Sequence, residues 1–102
     1  YEDIVWIANL LSKHYTIIIA SGRDEPYREA TKKLLDGNVP YEKLYMRKEK
    51  DYRRDDIVKE EILDQMLSDG YFPLMAFDDR DQVVKMWIRR GIRCFQVSEG
   101  NF

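Results

Sequence analysis

The chain predicts an α/β fold, a doubly wound parallel sheet with helices on both faces, and three features predict it. Short apolar or β-branched runs alternate with segments of helical periodicity. The runs carry apolar residues at successive positions, as strands buried on both faces do. The chain also opens on a helical segment with no strand before it, so a first strand is expected to be missing.

Ile4, Ile7, Leu10 and Leu11 recur at helical spacing, which makes Glu2 to Lys13 an amphipathic helix. The run Tyr15-Thr16-Ile17-Ile18-Ile19-Ala20 reads as a strand that ends at Ser21-Gly22-Arg23. Asp24 and Pro26 signal a helix start, Tyr27, Ala30, Leu34 and Leu35 share one face, and Gly37 is the stop. Residues 38–40 make a turn before a short strand, Leu44-Tyr45-Met46. Asp55 or Asp56 can cap a helix carrying Val58, Ile62, Leu63 and Met66 that ends near Gly70. Phe72-Pro73-Leu74-Met75-Ala76 is a strand leading into Phe77-Asp78-Asp79-Arg80. A helix with Val84, Trp87 and Ile88 then stops at Gly91, and residues 92–97 form the last strand.

At 102 residues the chain is one domain or part of one, sufficient for a single core and small for a complete α/β enzyme. A net charge of −2 excludes any argument for nucleic-acid binding from overall charge, so such a surface would have to be local. Its apolar runs are too short to span a bilayer, and its first residues lack a signal-peptide pattern. Cys94, the single cysteine, reads as a buried thiol, and a cytoplasmic location is expected. Trp6 and Trp87, each among aliphatic neighbours, read as core, and isolated His14 as structural.

Chemistry concentrates where strands end, the place at which open α/β sheets bind ligands. Asp78 and Asp79 are adjacent carboxylates that repel each other, and a hard cation such as Mg²⁺ compensates such a pair. Ser21 offers a hydroxyl, and the backbone around Gly22 can approach a phosphate closely for want of a side chain. Arg23 can grip phosphate oxygens bidentately, and Lys59 can neutralise a phosphate or a carboxylate as a point charge. Taken singly, each has an ordinary alternative: aspartate caps helices, Ser-Gly-Arg makes turns, and Lys59 can be a solvated helix residue. Their common placement beyond strand ends favours a magnesium-dependent phosphoryl-transfer site.

In this order, serine, lysine and then paired aspartates, the chain resembles the haloacid dehalogenase superfamily. More narrowly it is similar to the 3′-phosphatase domain of bacteriophage polynucleotide kinases. The likeness is carried by Ser21-Gly22-Arg23, by Arg53-Arg54-Asp55-Asp56-Ile57-Val58-Lys59-Glu60-Glu61-Ile62 and by Asp78-Asp79-Arg80 with Gln82-Val83-Val84. It continues through Met86-Trp87, Gly91, Cys94, Gln96-Val97, Gly100 and Phe102, so it covers nearly the whole of residues 1–102 as a partial phosphatase domain. The resemblance implies a Rossmann-like sheet and removal of a terminal 3′-phosphate from DNA or RNA in end repair. It implies that Ser21 contacts the phosphoryl group, that Lys59 bridges it to the nucleophile, and that Asp79 ligates Mg²⁺ with Asp78 in support. Arg23, Arg47 and Asp55 match positions around the substrate.

One departure stands against these matches. The family nucleophile is the first aspartate of an Asp-x-Asp motif on the first strand, and nothing before Ser21 fits it. Asp79-Arg80-Asp81 has the right spelling, but it follows the serine and the lysine and is read as chance. The expected nucleophile therefore lies upstream, and a homodimer or a partner could supply the missing strand. No P-loop pattern is present. The cations of residues 47–54, interrupted by Glu49 and Asp51 and joined by Tyr52, read either as a solvated loop or as a nucleic-acid track. An inactive nucleic-acid-binding remnant and a phosphatase for a small metabolite are the alternative functions. A signalling receiver is disfavoured because its acidic pair comes first along the chain.

Overall fold

The computed structural model describes residues 1–102. It contains α1 (Glu2–Leu11), β1 (Ile18–Asp24), a short 3₁₀ turn (Glu25–Tyr27), α2 (Arg28–Leu35), β2 (Lys43–Arg47), α3 (Asp55–Ser68), β3 (Met75–Asp78), α4 (Asp81–Arg89) and β4 (Arg93–Gln96). These elements form two compact units, Tyr1–Asp51 and Tyr52–Phe102. Each holds one parallel strand pair, β1 with β2 and β3 with β4. The α/β class and the parallel pairing are those expected from the alternation of elements, with the strands divided between two two-stranded sheets.

In the first unit, Ile18, Ile19, Ala20 and Ser21 pair in register with Lys43, Leu44, Tyr45 and Met46. The register then slips, so that Asp24 faces Arg47 and residues 22–23 bulge between the pairs. Leu44, Tyr45 and Met46 are buried at three successive positions, as a strand covered on both faces requires. The first strand begins at Ile18, two residues later than its β-branched run. The N–H groups of His14 and Tyr15 still donate to the Leu11 carbonyl at the end of α1. The 3₁₀ turn occupies the expected helix start and delays α2 to Arg28. Trp6 is 65% exposed and α1 has no buried residue, so the expectation that Trp6 lies in the core is corrected.

In the second unit, Leu63, Val83, Met86 and Trp87 form the core, with Ala76, Ile92 and Cys94 packed against it. The strand β3 begins at Met75 and not at Phe72. The Tyr71 N–H still caps α3 by donating to the Met66 carbonyl, and Pro73 has no N–H to give a ladder. Gly91 at φ +82° closes α4 in the same way, with Ile92 donating to Trp87 and Gly91 to Ile88. The expected apolar face of α4 is corrected by one position: Met86 is buried and Ile88 is 59% exposed. Beneath the ladder pair, the Phe77 and Phe95 rings stack at 5.3 Å. No helix is long and apolar enough to cross a membrane.

Leu63→Ala is expected to lower stability by about 3 kcal/mol in denaturant unfolding, because the fully buried side chain leaves a cavity. Ile88→Ala is expected to cost less than about 1 kcal/mol, since its side chain is mostly in water already.

Candidate active site

The second unit builds a buried charge cluster from two elements and the loop between β3 and α4. The end of β3 delivers Asp78, and the first turn of α3 delivers Asp55 and Lys59, four residues apart and so on one face. Lys59 Nζ stands 3.1 Å from Asp78 Oδ2 and 3.5 Å from Asp55 Oδ2, with all three side chains nearly buried. Arg80 approaches the same Asp55 oxygen at 3.8 Å. Two carboxylates thus face two cations, which is the condition for keeping charge out of water. Asp55 is the first residue of α3 and Arg54 takes the cap position, so neither aspartate caps the helix by its side chain as expected.

Asp78 has both oxygens committed. Oδ2 meets Lys59, and Oδ1 accepts from the backbone N–H groups of Asp79 at 2.8 Å and Arg80 at 3.3 Å. The carboxylate therefore shapes the loop that follows β3 and fixes where Asp79 begins. Nowhere do three His, Cys, Asp or Glu side chains stand together as a metal cage. Mg²⁺ needs only one or two carboxylates besides waters and phosphate oxygens, and an adjacent acidic pair at a strand end fits that demand.

In the first unit, Ser21 is the last residue paired before the bulge and Gly22 and Arg23 form it, so the three are not a free loop beyond the strand. The Arg23 N–H donates to Ser21 Oγ at 3.1 Å, which leaves the hydroxyl proton to donate elsewhere. Arg47 braces the bulge: its Nε donates to the Gly22 carbonyl at 2.9 Å and its Nη1 to the Asp51 carbonyl at 2.9 Å. The Arg23 guanidinium lies 5.1 Å from the centre of the Tyr27 ring, so Tyr27, half exposed, supports that cation.

The basic segment is less available than its composition suggests. Arg53 pairs with both oxygens of Glu61, and Arg54 lies 3.3 Å from Asp56 Oδ1. Lys48 and Lys50 are exposed, and Tyr52 is 89% exposed.

A family model described as the polynucleotide kinase PNKP phosphatase domain matches residues 1–102. The chain belongs to that family. Two solved structures resemble it at 37% identity and a TM-score of 0.91, one described as a Pnkp1/Rnl/Hen1 complex and the other as the Pnkp1/Rnl/Hen1 RNA repair complex. Both matches cover 98% of this chain but only 35% and 33% of the other, so the chain spans about a third of their length.

Several residues that shape the loop after β3 in this member of the PNKP family had no signal as site residues in the sequence. Gln96 donates to the Asp79 carbonyl at 3.0 Å and to Asp81 Oδ1 at 2.6 Å. Asp81, which completes the chance Asp-x-Asp spelling with Asp79, is thus held as a structural acceptor at the start of α4. Gly100 is buried against the Asp79–Arg80 backbone. Their only trace was the match of Gln96, Gly100 and Phe102 to the phage domain. An open concavity of about 680 Å³ is lined by Asp81, Gln96 and residues 97–101, and none of Lys59, Asp78 and Asp79 contributes to it.

Cys94 lies beside the cluster. Burial first, and then the Asp78 carboxylate, push its thiol from an ordinary 9.0 up to about 11. The folded state therefore holds this proton more tightly than the unfolded one. That contribution to stability is complete below pH 9 and is lost as pH rises through about 11.

Lys59→Met is expected to destabilise the second unit by about 3 kcal/mol or more in urea unfolding, because Asp55 and Asp78 lose their shared cation. Iodoacetamide at pH 8 is expected to modify Cys94 at least about tenfold more slowly than an unstructured cysteine peptide, with mass spectrometry as the readout.

Proposed function

We propose that this chain is the larger part of a magnesium-dependent polynucleotide 3′-phosphatase domain that acts in nucleic-acid end repair. The observation that supports it most is the buried Lys59 held against Asp78 at the end of β3, with Asp79 next in the chain, in a member of the PNKP phosphatase family. The RNA repair complexes among its structural relatives favour RNA ends as the substrate class.

In this reading the nucleophilic aspartate comes from a strand outside residues 1–102. Each sheet has only two strands and so has edges to which another strand can add. Ser21 donates its hydroxyl proton to a phosphoryl oxygen, and Arg23 supplies charge at the same kind of oxygen. Lys59 pairs with Asp78 at 3.1 Å and adds positive charge toward the phosphoryl group and the incoming carboxylate. Asp79 would hold Mg²⁺ directly, and Asp78, already bound to Lys59 and its own loop, would position it. Bound there, Mg²⁺ would shield the phosphoryl charge from an anionic nucleophile. Arg47 keeps the Gly22 bulge in shape, and Asp55 sets Lys59. The carboxylate attacks phosphorus as the bond to the 3′-oxygen breaks, and that oxygen leaves as a hydroxyl with a proton from the second aspartate of the same upstream Asp-x-Asp pair. That aspartate then takes a proton from the water that cleaves the acyl phosphate, which releases inorganic phosphate and restores both groups.

The test is phosphate release from a 3′-phosphorylated oligonucleotide with Mg²⁺, by this chain and by the protein extended upstream in its gene. Release by the extended protein alone, reduced about 100-fold or more by Asp79→Asn, is the expected result. Release by residues 1–102 alone would show the nucleophile to be misplaced. Salt-dependent strand binding without turnover in the extended form would replace the phosphatase with a binding remnant.

A further inference from the structure

The Asp79-Arg80 segment is held from a side that the chemistry above does not use. Beyond β4 the chain folds back over it without helix or strand. Gln96 Nε2 donates to the Asp79 carbonyl and to Asp81 Oδ1, and the Asp81 N–H donates to the Gly100 carbonyl at 2.7 Å. Gln82 Nε2 donates to the Phe102 carbonyl at 3.2 Å, and the Arg80 guanidinium lies 4.5 Å from the centre of the Phe102 ring.

Gly100 makes the approach possible. A Cβ there would stand 1.8 Å from the Asp79 carbonyl oxygen, 2.6 Å from its carbon and 2.9 Å from Arg80 Cα. Those neighbours are backbone, so no rotamer change relieves the clash. Asp79 is consequently tied on both sides, its N–H to Asp78 Oδ1 and its C=O to Gln96.

Residues 97–102 add nothing to the cluster of buried side chains around Leu63 and Trp87. Ordering an irregular segment costs backbone entropy, and core burial does not offset it here. What the segment does instead is fix two successive residues, one of them the proposed metal ligand.

We propose that residues 96–102 are a strap that sets where the Asp79 carboxylate stands, with Gln96 as the positioning residue and Gly100 as its point of contact. The inference deepens the proposed function and rests on Asp79 as a cation ligand. Gln96 acts through the Asp79 backbone, so its loss weakens cation binding more than it slows the reaction once the cation is bound.

The test uses the upstream-extended protein and its Gln96→Met variant, which keeps side-chain length and removes both N–H donors. Binding of Mn²⁺ alone is followed by electron paramagnetic resonance, and phosphate release is measured against Mg²⁺ concentration. The expected result is Mn²⁺ binding weakened about tenfold, a matching rise in half-saturating Mg²⁺, little change in kcat at saturation and an unchanged melting temperature. Gly100→Ala is expected to show the same split, and if it does not fold, Gln96→Met decides alone. Unaltered Mn²⁺ affinity in Gln96→Met, beside lost binding in Asp79→Asn, would overturn the strap and leave the phosphatase standing. Equal Mn²⁺ binding by wild type and Asp79→Asn would remove the ligand role and this inference with it. The phosphatase reading is judged separately by phosphate release from the wild type.

Discussion

Lys59 is the contact on which the second unit's chemistry depends. Its ammonium group sits between Asp78 and Asp55 with little access to water, and either carboxylate without it would be a buried charge facing another. The same interaction docks the first turn of α3 on the end of β3. Because Asp78 answers Lys59 with one oxygen and its own loop with the other, the ion pair is transmitted to the backbone of Asp79. A structural salt bridge and a positioned acidic residue are here two consequences of one carboxylate.

The first unit meets a comparable demand by other means. Its hydroxyl and arginine sit where the ladder between β1 and β2 loses register, and Arg47 holds the bulge through a carbonyl. A bulge turns successive side chains away from the alternation of a regular strand, which is why bulges recur beside functional sites. Tyr27 under Arg23 adds an aromatic support that keeps an exposed guanidinium in place without neutralising it. In both units, then, backbone irregularity is fixed by side chains from elsewhere in the same unit.

Much of this was legible in the residues. The order of helices and strands followed from periodicity, since a 3.6-residue repeat and a continuous apolar run require different backbones. Element ends were not legible. The start of β1 is set by donors still closing α1 at Leu11, and the start of β3 by the cap that Tyr71 gives α3. Trp6 and Ile88 were misread for a related reason: the run of apolar residues along a helix says that a face exists, but neighbours decide how much of it is covered.

The sequence by itself determined the element types, the α/β class and the succession of Ser21, Lys59, Asp78 and Asp79, because these depend on local periodicity and residue chemistry. Tertiary structure decided which charges meet. Asp55 and Lys59 could equally have been a solvated pair one helical turn apart; Asp78, arriving from β3, makes them a buried cluster. Arg53 and Arg54 could have been open to an anion, but Glu61 and Asp56 take them. Gln96 and Gly100 acquire meaning only when β4 returns the chain to Asp79, seventeen or more residues behind them. Contacts between residues distant along the chain depend on where the packed elements deliver them, and no local pattern encodes that.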